Sequence, residues 1–197
     1  MIRNNDFEAR EQGFTLIELL VVIAIISVIA GFLVPVLWKG REEAIKLECS
    51  NNLQQIYAFA MSFSDKSGTG RFPLAEGKSP RAHESLNELI RFDPDGLVPK
   101  LFVCGASDDR PAATDADGRY ALAEDTLSYA WTAKRLKNTA FSKPLASDKY
   151  VEGYEDSDGK HEGHRNGMNV LMTDKSVQWL KKSDLPEDTM LPAGLTQ

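Results

Sequence analysis

A chain of 197 residues with a formal charge of −6 has room for one ordinary domain plus a separate segment, and its acidity argues against nucleic acid as a partner. Its lysines and arginines form no basic cluster interleaved with aromatics, so the usual footprint of phosphate-backbone binding is missing. No phosphate-cradling glycine loop, Ser-His-Asp set or CxxC pair occurs either, and the chain reads as something other than an enzyme.

In chain order, residues 1–13 are polar, with Arg3 and Arg10 set against Asp6, Glu8 and Glu11. The positive-inside rule counts Lys and Arg rather than net charge, so this end is permitted on the cytoplasmic side. Lys39, Arg41 and Lys46 lie close to the far end of the apolar stretch that follows. That stretch, 14–38, is almost unbroken in apolar character, and as a helix it would be about 37 Å long, enough to cross a hydrocarbon core of about 30 Å. It reads as a membrane helix. Glu18 sits near its start, where an ionisable group costs about 2.5 kcal/mol or more unless it lies near the interface or has a partner.

Three plainer readings compete. A secretory signal has a shorter apolar core with its cut on the far side, for which Val28-Ile29-Ala30 is an acceptable small-residue site. A simple signal anchor explains the length but gives Glu18 no purpose, and a buried core helix of a soluble protein is disfavoured by an apolar run this long.

Gly13-Phe14-Thr15-Leu16-Ile17-Glu18-Leu19-Leu20-Val21-Val22-Ile23-Ala24-Ile25-Ile26 resembles the cleavage and methylation signal of type IV prepilins and type II secretion pseudopilins. The resemblance implies that a prepilin peptidase cuts between Gly13 and Phe14 on the cytoplasmic side and methylates the new amine of Phe14. It also implies that Glu18 pairs with the terminal amine of a neighbouring subunit during assembly, which would answer the buried carboxylate. Residues 1–13 are then a leader peptide and 14–38 a transmembrane and assembly helix.

Pro35 lacks an N–H and clashes with the preceding turn, so a kink or local unwinding is expected there, and its position matches a proline that many pilins carry. Beyond it, Ile45, Cys49, Leu53, Ile56, Ala60 and Phe63 recur at three and four with polar residues between them, which predicts an amphipathic continuation of the helix over 39–66. The run stops at Ser67-Gly68-Thr69-Gly70.

Over 67–197 the pattern is that of a globular domain. Ser79-Pro80 is a plausible cap and first-turn pair for a short helix that buries Leu86, Leu89 and Ile90 and ends by Asp93-Pro94. Short apolar runs follow at Leu101-Phe102-Val103, Leu127 to Trp131, Met168 to Met172 and Val177 to Leu180, separated by turn-rich segments, and read as strands of a small antiparallel sheet. The expected fold is α+β and pilin-like.

The carboxy-terminal part carries a second resemblance. His164, nine residues and then Asp174, with a strand-like run on either side of a tight turn, looks like the signature of a prepilin subgroup common in planctomycete- and verrucomicrobium-type bacteria. Cys49-Ser50-Asn51-Asn52-Leu53, Phe102-Val103-Cys104, Ser128-Tyr129 and Pro144-Leu145-Ala146-Ser147-Asp148 fit the same subgroup. Lys175 departs from it, standing where the subgroup has glycine, so either the turn type differs or Lys175 is strained. The residues themselves give Asp174 the task of bonding turn amides, while His164 precedes the strand.

Cys49 and Cys104 are an even pair in the segment placed outside the cytoplasm, where a disulfide is allowed, and each is equally well read as a small buried residue. His161-Glu162-Gly163-His164 has the wrong histidine spacing for a zinc protease helix and is an incomplete ligand set. Asp115 with Asp117, and Asp156 with Asp158, each offer two oxygens at alternate positions as in the start of a calcium loop, though Asp-Gly is commonly a turn. No metal or other cofactor is expected beyond these weak calcium candidates.

Together these readings describe a prepilin-like structural subunit of a pilus or type II secretion pseudopilus. Its expected partners are the prepilin peptidase, other pilin subunits through the amino-terminal helix, and the bacterial inner membrane, crossed once with the carboxy-terminal domain periplasmic and later part of a filament. The competing reading is a membrane-anchored periplasmic binding or processing protein that uses the helix only as an anchor.

Overall fold

The computed structural model describes residues 14–77, 80–148, 150–155, 161–164, 167–184 and 195–196. Gly13, Ser79, Asp156 and Asp158 lie outside them. The chain divides into two compact units, one ending at Arg41 and the other running from Glu42.

Helix α1, Leu16–Lys66, is assigned without interruption through Pro35, so the local unwinding expected there does not occur. Proline removes one ladder bond, and the long helical runs on either side outlast that loss. In the first unit the apolar residues from Phe14 to Trp38 stand exposed, Phe32 at 77% and Trp38 at 68%, so the described chain covers none of them. Apolar on every face and uncovered by the described residues, this part of α1 is long and apolar enough to cross a membrane.

In the second unit, the Glu42-to-Lys66 part of α1 has one buried face made of Cys49, Leu53, Ile56, Tyr57 and Ala60, against which Ile45 and Phe63 also pack. This is the stripe expected from the three-and-four spacing. Helix α2, Ala82–Phe92, buries Leu86, Leu89 and Ile90 as expected, but begins two residues after Pro80. Arg81 is its cap residue, and the Arg81 N–H donates to Glu84 Oε2 at 2.9 Å, so a carboxylate at the third helical position does the capping.

Pro99–Phe102 forms a 3-10 turn, which corrects the strand expected at Leu101-Phe102-Val103. Pro99 has its φ fixed near helical values and no N–H to lose at the first position, and Leu101 N–H donates to the Val98 carbonyl at 3.0 Å. Leu101 and Phe102 are buried all the same, and Val103 is partly so.

Strands β1 (Tyr129–Thr132), β2 (Pro144–Asp148), β5 (Gly167–Met172), β6 (Val177–Lys181) and β7 (Leu195–Thr196) form an antiparallel sheet in the order β6-β5-β2-β1-β7. Strands β3 (Tyr150–Glu155) and β4 (His161–Gly163) make a separate antiparallel pair. Strand β2 is absent from the sequence expectations. It starts with proline and ends in a serine and an aspartate, and four of its five residues are buried, so it shows no alternation to read. The fold is thus α+β, a long amino-terminal helix with a small antiparallel sheet. Tyr57 on α1 donates its hydroxyl to the Thr173 carbonyl at 3.0 Å, and Trp131 Nε1–H donates to the Pro73 carbonyl at 2.8 Å, so these two core aromatics are also anchored by their polar ends.

The β5–β6 turn resolves the departure at Lys175. Its φ is +73, the left-handed region that glycine would occupy without penalty. The turn keeps its glycine geometry with a lysine in place. Met172 N–H donates to the Ser176 carbonyl at 2.8 Å, and Asp174 Oδ1 accepts from the Ser176 amide at 3.0 Å and its hydroxyl at 2.6 Å. Asp174 therefore bonds turn groups, and these bonds together with the Ser142 hydroxyl hold its carboxyl below the usual aspartate value.

Candidate functional site

Two groups of residues carry chemistry beyond packing, one at the start of α1 and one buried beside its second half. At the start of α1, Thr15 occupies the cap position and Glu18 the third helical position. Thr15 donates its amide at 2.9 Å and its hydroxyl at 2.7 Å to Glu18 Oε2, and the Glu18 amide donates to Thr15 Oγ1 at 3.3 Å. This is a reciprocal capping box, which the Thr-x-x-Glu spacing signals and which the sequence reasoning missed. Glu18 thus has a local role that competes with the intersubunit role the resemblance implies. Phe14, at 80% exposure, is free of the described chain's own packing, which leaves its backbone approachable.

The buried group is assembled from four elements. Cys49 comes from α1, Cys104 from the segment after the 3-10 turn, Asp148 from the end of β2 and His164 from the residue following β4. The cysteines are joined as a disulfide with Cα atoms 5.5 Å apart. His164 Nε2 lies 3.0 Å from Asp148 Oδ2 and 3.6 Å from Cys104 Sγ. Asp148 accepts from the Asn169 amide at 2.5 Å and from Asn169 Nδ2 at 2.8 Å, and Nδ2 also donates to the Lys46 carbonyl at 3.1 Å. Antiparallel register puts Asn169 there, because Val170 faces Ser147 and the next residue on each strand is Asn169 and Asp148. The His164 ring meets Trp179 on β6, cross-strand neighbour of Asn169, in a T-shaped contact, and Lys46 Nζ lies 3.8 Å from the Trp179 ring centre.

Burial pushes the Asp148 carboxyl above its ordinary value, while bonds from His164 and Asn169 pull it back. The four ligand-type atoms of Cys49, Cys104, Asp148 and His164 all lie within 4.8 Å of one another.

The structure does not join His164 to Asp174. His164 is buried in this cluster, whereas Asp174 is an exposed turn residue that bonds Ser142 and Ser176. The partner of His164 is Asp148, and the available signal is an aspartate ending the short run Pro144-Leu145-Ala146-Ser147. Of the calcium candidates, Asp115 places Oδ1 on the amides of Asp117 at 3.0 Å and Arg119 at 2.8 Å, as an Asx turn does.

Residues 9–34 match the family model described as the prokaryotic N-terminal methylation motif. Over 80 residues the chain is 35% identical to the Type IV major pilin protein PilA of Myxococcus xanthus (strain DK1622), a match covering 40% of this chain and 36% of that protein's length. No solved structure matches. The chain is therefore prepilin-like at its amino-terminal end and similar over part of its length to a type IV pilin.

Proposed function

We propose that this chain is a structural prepilin-type subunit of a type IV pilus or type II secretion pseudopilus, without enzymatic activity. It is cut between Gly13 and Phe14 and methylated on Phe14 by a prepilin peptidase. It is held in the inner membrane by the first half of α1, and is then bundled with other subunits through that half. The domain from Glu42 onward lies in the periplasm and passes to the filament surface on assembly. The observation that carries this reading is the coincidence, within the residues matched by the methylation motif, of an apolar helix left exposed by the described residues and a glutamate at its third position. The His164 and Asp174 spacing, with Lys175 holding a glycine conformation in the turn, supports placement in the subgroup with that carboxy-terminal signature.

The anchor reading is the second one, and the capping box favours it specifically, because Glu18 is satisfied within its own chain. Co-expression with a prepilin peptidase tests both. Wild-type protein is expected to shorten by the leader, while Gly13→Val blocks the cut by crowding the small-residue site and accumulates at full length. Wild-type protein left at full length by an active peptidase would refute the subunit reading and leave the anchor.

A further inference from the structure

A buried His-Asp pair pressed against a disulfide is an expensive arrangement for a staple alone. Taking an imidazole and a carboxyl group out of water is unfavourable before their mutual attraction is counted, and a packed apolar pair would serve as well. The cluster has three properties that a staple does not need. First, His164 turns the same nitrogen, Nε2, toward both Asp148 and Cys104. With zinc bonds of about 2.3 Å to sulfur and about 2.1 Å to nitrogen, a tetrahedral site has a sulfur-to-nitrogen edge of about 3.6 Å and a nitrogen-to-oxygen edge of about 3.3 Å. The observed edges are 3.6 Å and 3.0 Å. Second, the carboxylate is oriented by hydrogen bonds from the Asn169 amide and side chain, the outer-shell support that metal ligands use, and the imidazole is packed edge to face with Trp179. Third, a zinc ion bound by two thiolates, an imidazole and a carboxylate carries one net negative charge, and the Lys46 ammonium, which also meets Glu43 Oε2 at 3.7 Å, sits over the Trp179 ring that packs against His164.

We infer that Cys49, Cys104, Asp148 and His164 form a redox-gated zinc site, closed while the disulfide stands and competent to bind one zinc ion when it is reduced. A dithiol or phosphine reductant supplies two electrons, and two protons complete the two thiols as the S–S bond breaks. Zinc then displaces both thiol protons to water and binds the two thiolates, Asp148 Oδ2 and His164 Nε2, the latter after its hydrogen passes to solvent or to Nδ1. The sulfurs need only part to about 3.8 Å, the tetrahedral sulfur–sulfur edge, which Cα atoms 5.5 Å apart permit by side-chain rotation. The ion would hold α1, the segment after the 3-10 turn, β2 and the residue after β4 together in the absence of the covalent link, so the domain keeps its cross-bracing in either redox state.

The test uses the full chain in detergent, reduced with a phosphine in the presence of zinc, freed of excess metal and analysed for zinc per chain, with cobalt(II) as a spectroscopic substitute. One zinc per reduced chain is expected, with the thiolate charge-transfer and tetrahedral ligand-field absorption of cobalt. The oxidised chain should bind none. Asp148→Asn, which retains the shape of the side chain, and His164→Ala should each lose zinc, and Asn169→Ala should weaken binding about 10- to 100-fold through the carboxylate it orients. Circular dichroism confirms that each variant is folded in its oxidised form. Reduced wild-type chain that retains no zinc would overturn the proposal and leave a disulfide staple only. Equal zinc in oxidised and reduced chains, or zinc unaffected by Asp148→Asn in a folded variant, would overturn it by placing the metal elsewhere.

Discussion

Replacing Lys175 by glycine should stabilise the protein, although it removes a charged side chain from a surface turn. The lysine holds φ at +73, where a side chain with a Cβ costs about 1–2 kcal/mol. Glycine removes that cost and gives back about 0.5–1 kcal/mol in lost chain freedom, so the net gain is about 0.5–1 kcal/mol. Nothing else offsets it, because Lys175 is exposed and no hydrogen bond or ion pair of its side chain is found among the described residues. Each kcal/mol moves the melting point by about 2–4 °C in a domain of this size, so near-ultraviolet circular dichroism of the detergent-solubilised chain should show a rise of about 1–4 °C. Lys175→Ala keeps the Cβ and should melt with the wild type, while Lys175→Val should melt lower because a branched side chain tolerates this region worst. A glycine variant no more stable than the alanine variant would refute the strain argument.

The Cys49 and Cys104 link closes a separation of 55 residues, for which loop-closure entropy gives about 4 kcal/mol. The Cys49→Ala, Cys104→Ala double variant, melted with a chelator present, should lose roughly that amount, and a variant of unchanged stability would show the link to be idle. Glu18→Gln keeps the polar cap at the third helical position but not the charge, so it should fold and be cleaved normally while filament incorporation falls. Wild-type incorporation of Glu18→Gln would make Glu18 a capping residue only. Asp174, held below the ordinary aspartate value of 3.8, contributes stability that is complete above that value and lost as pH falls through the lower folded one. Carbon-detected NMR titration should find it among the most acidic aspartates, and Asp174→Asn should flatten the acid limb of the stability curve; an ordinary titration would contradict the bonding to Ser176 and Ser142.

What could be read from sequence was whatever depends on neighbours in the chain. The apolar length of α1 and its buried stripe of Cys49, Leu53, Ile56 and Ala60 follow from local periodicity, and the structure buries that stripe. The anomaly at Lys175 was visible as a lysine in a glycine position. Leu101-Phe102-Val103 reads as a strand because a short apolar run looks alike in a strand and in a 3-10 turn, and only Pro99 distinguishes them. The union of His164 with Asp148 was beyond reach, since it depends on which strand lies beside β5 and in what register. Nine-residue spacing drew attention to Asp174 instead, which belongs to the turn. The Thr15–Glu18 capping box is legible in the Thr-x-x-Glu spacing, but the glutamate's cost in an apolar helix points outward to a partner rather than back to its own helix end.

Whether the apolar half of α1 is a processed assembly helix or a plain anchor is decided by intact-mass measurement of the protein recovered from membranes that contain a prepilin peptidase. A processed helix gives a chain that begins at Phe14 and is one methyl group heavier than the unmodified sequence from that residue, with the methyl located on the terminal amine by fragmentation. A mass corresponding to a chain that still begins at Met1, with no amino-terminal methyl group, would contradict it.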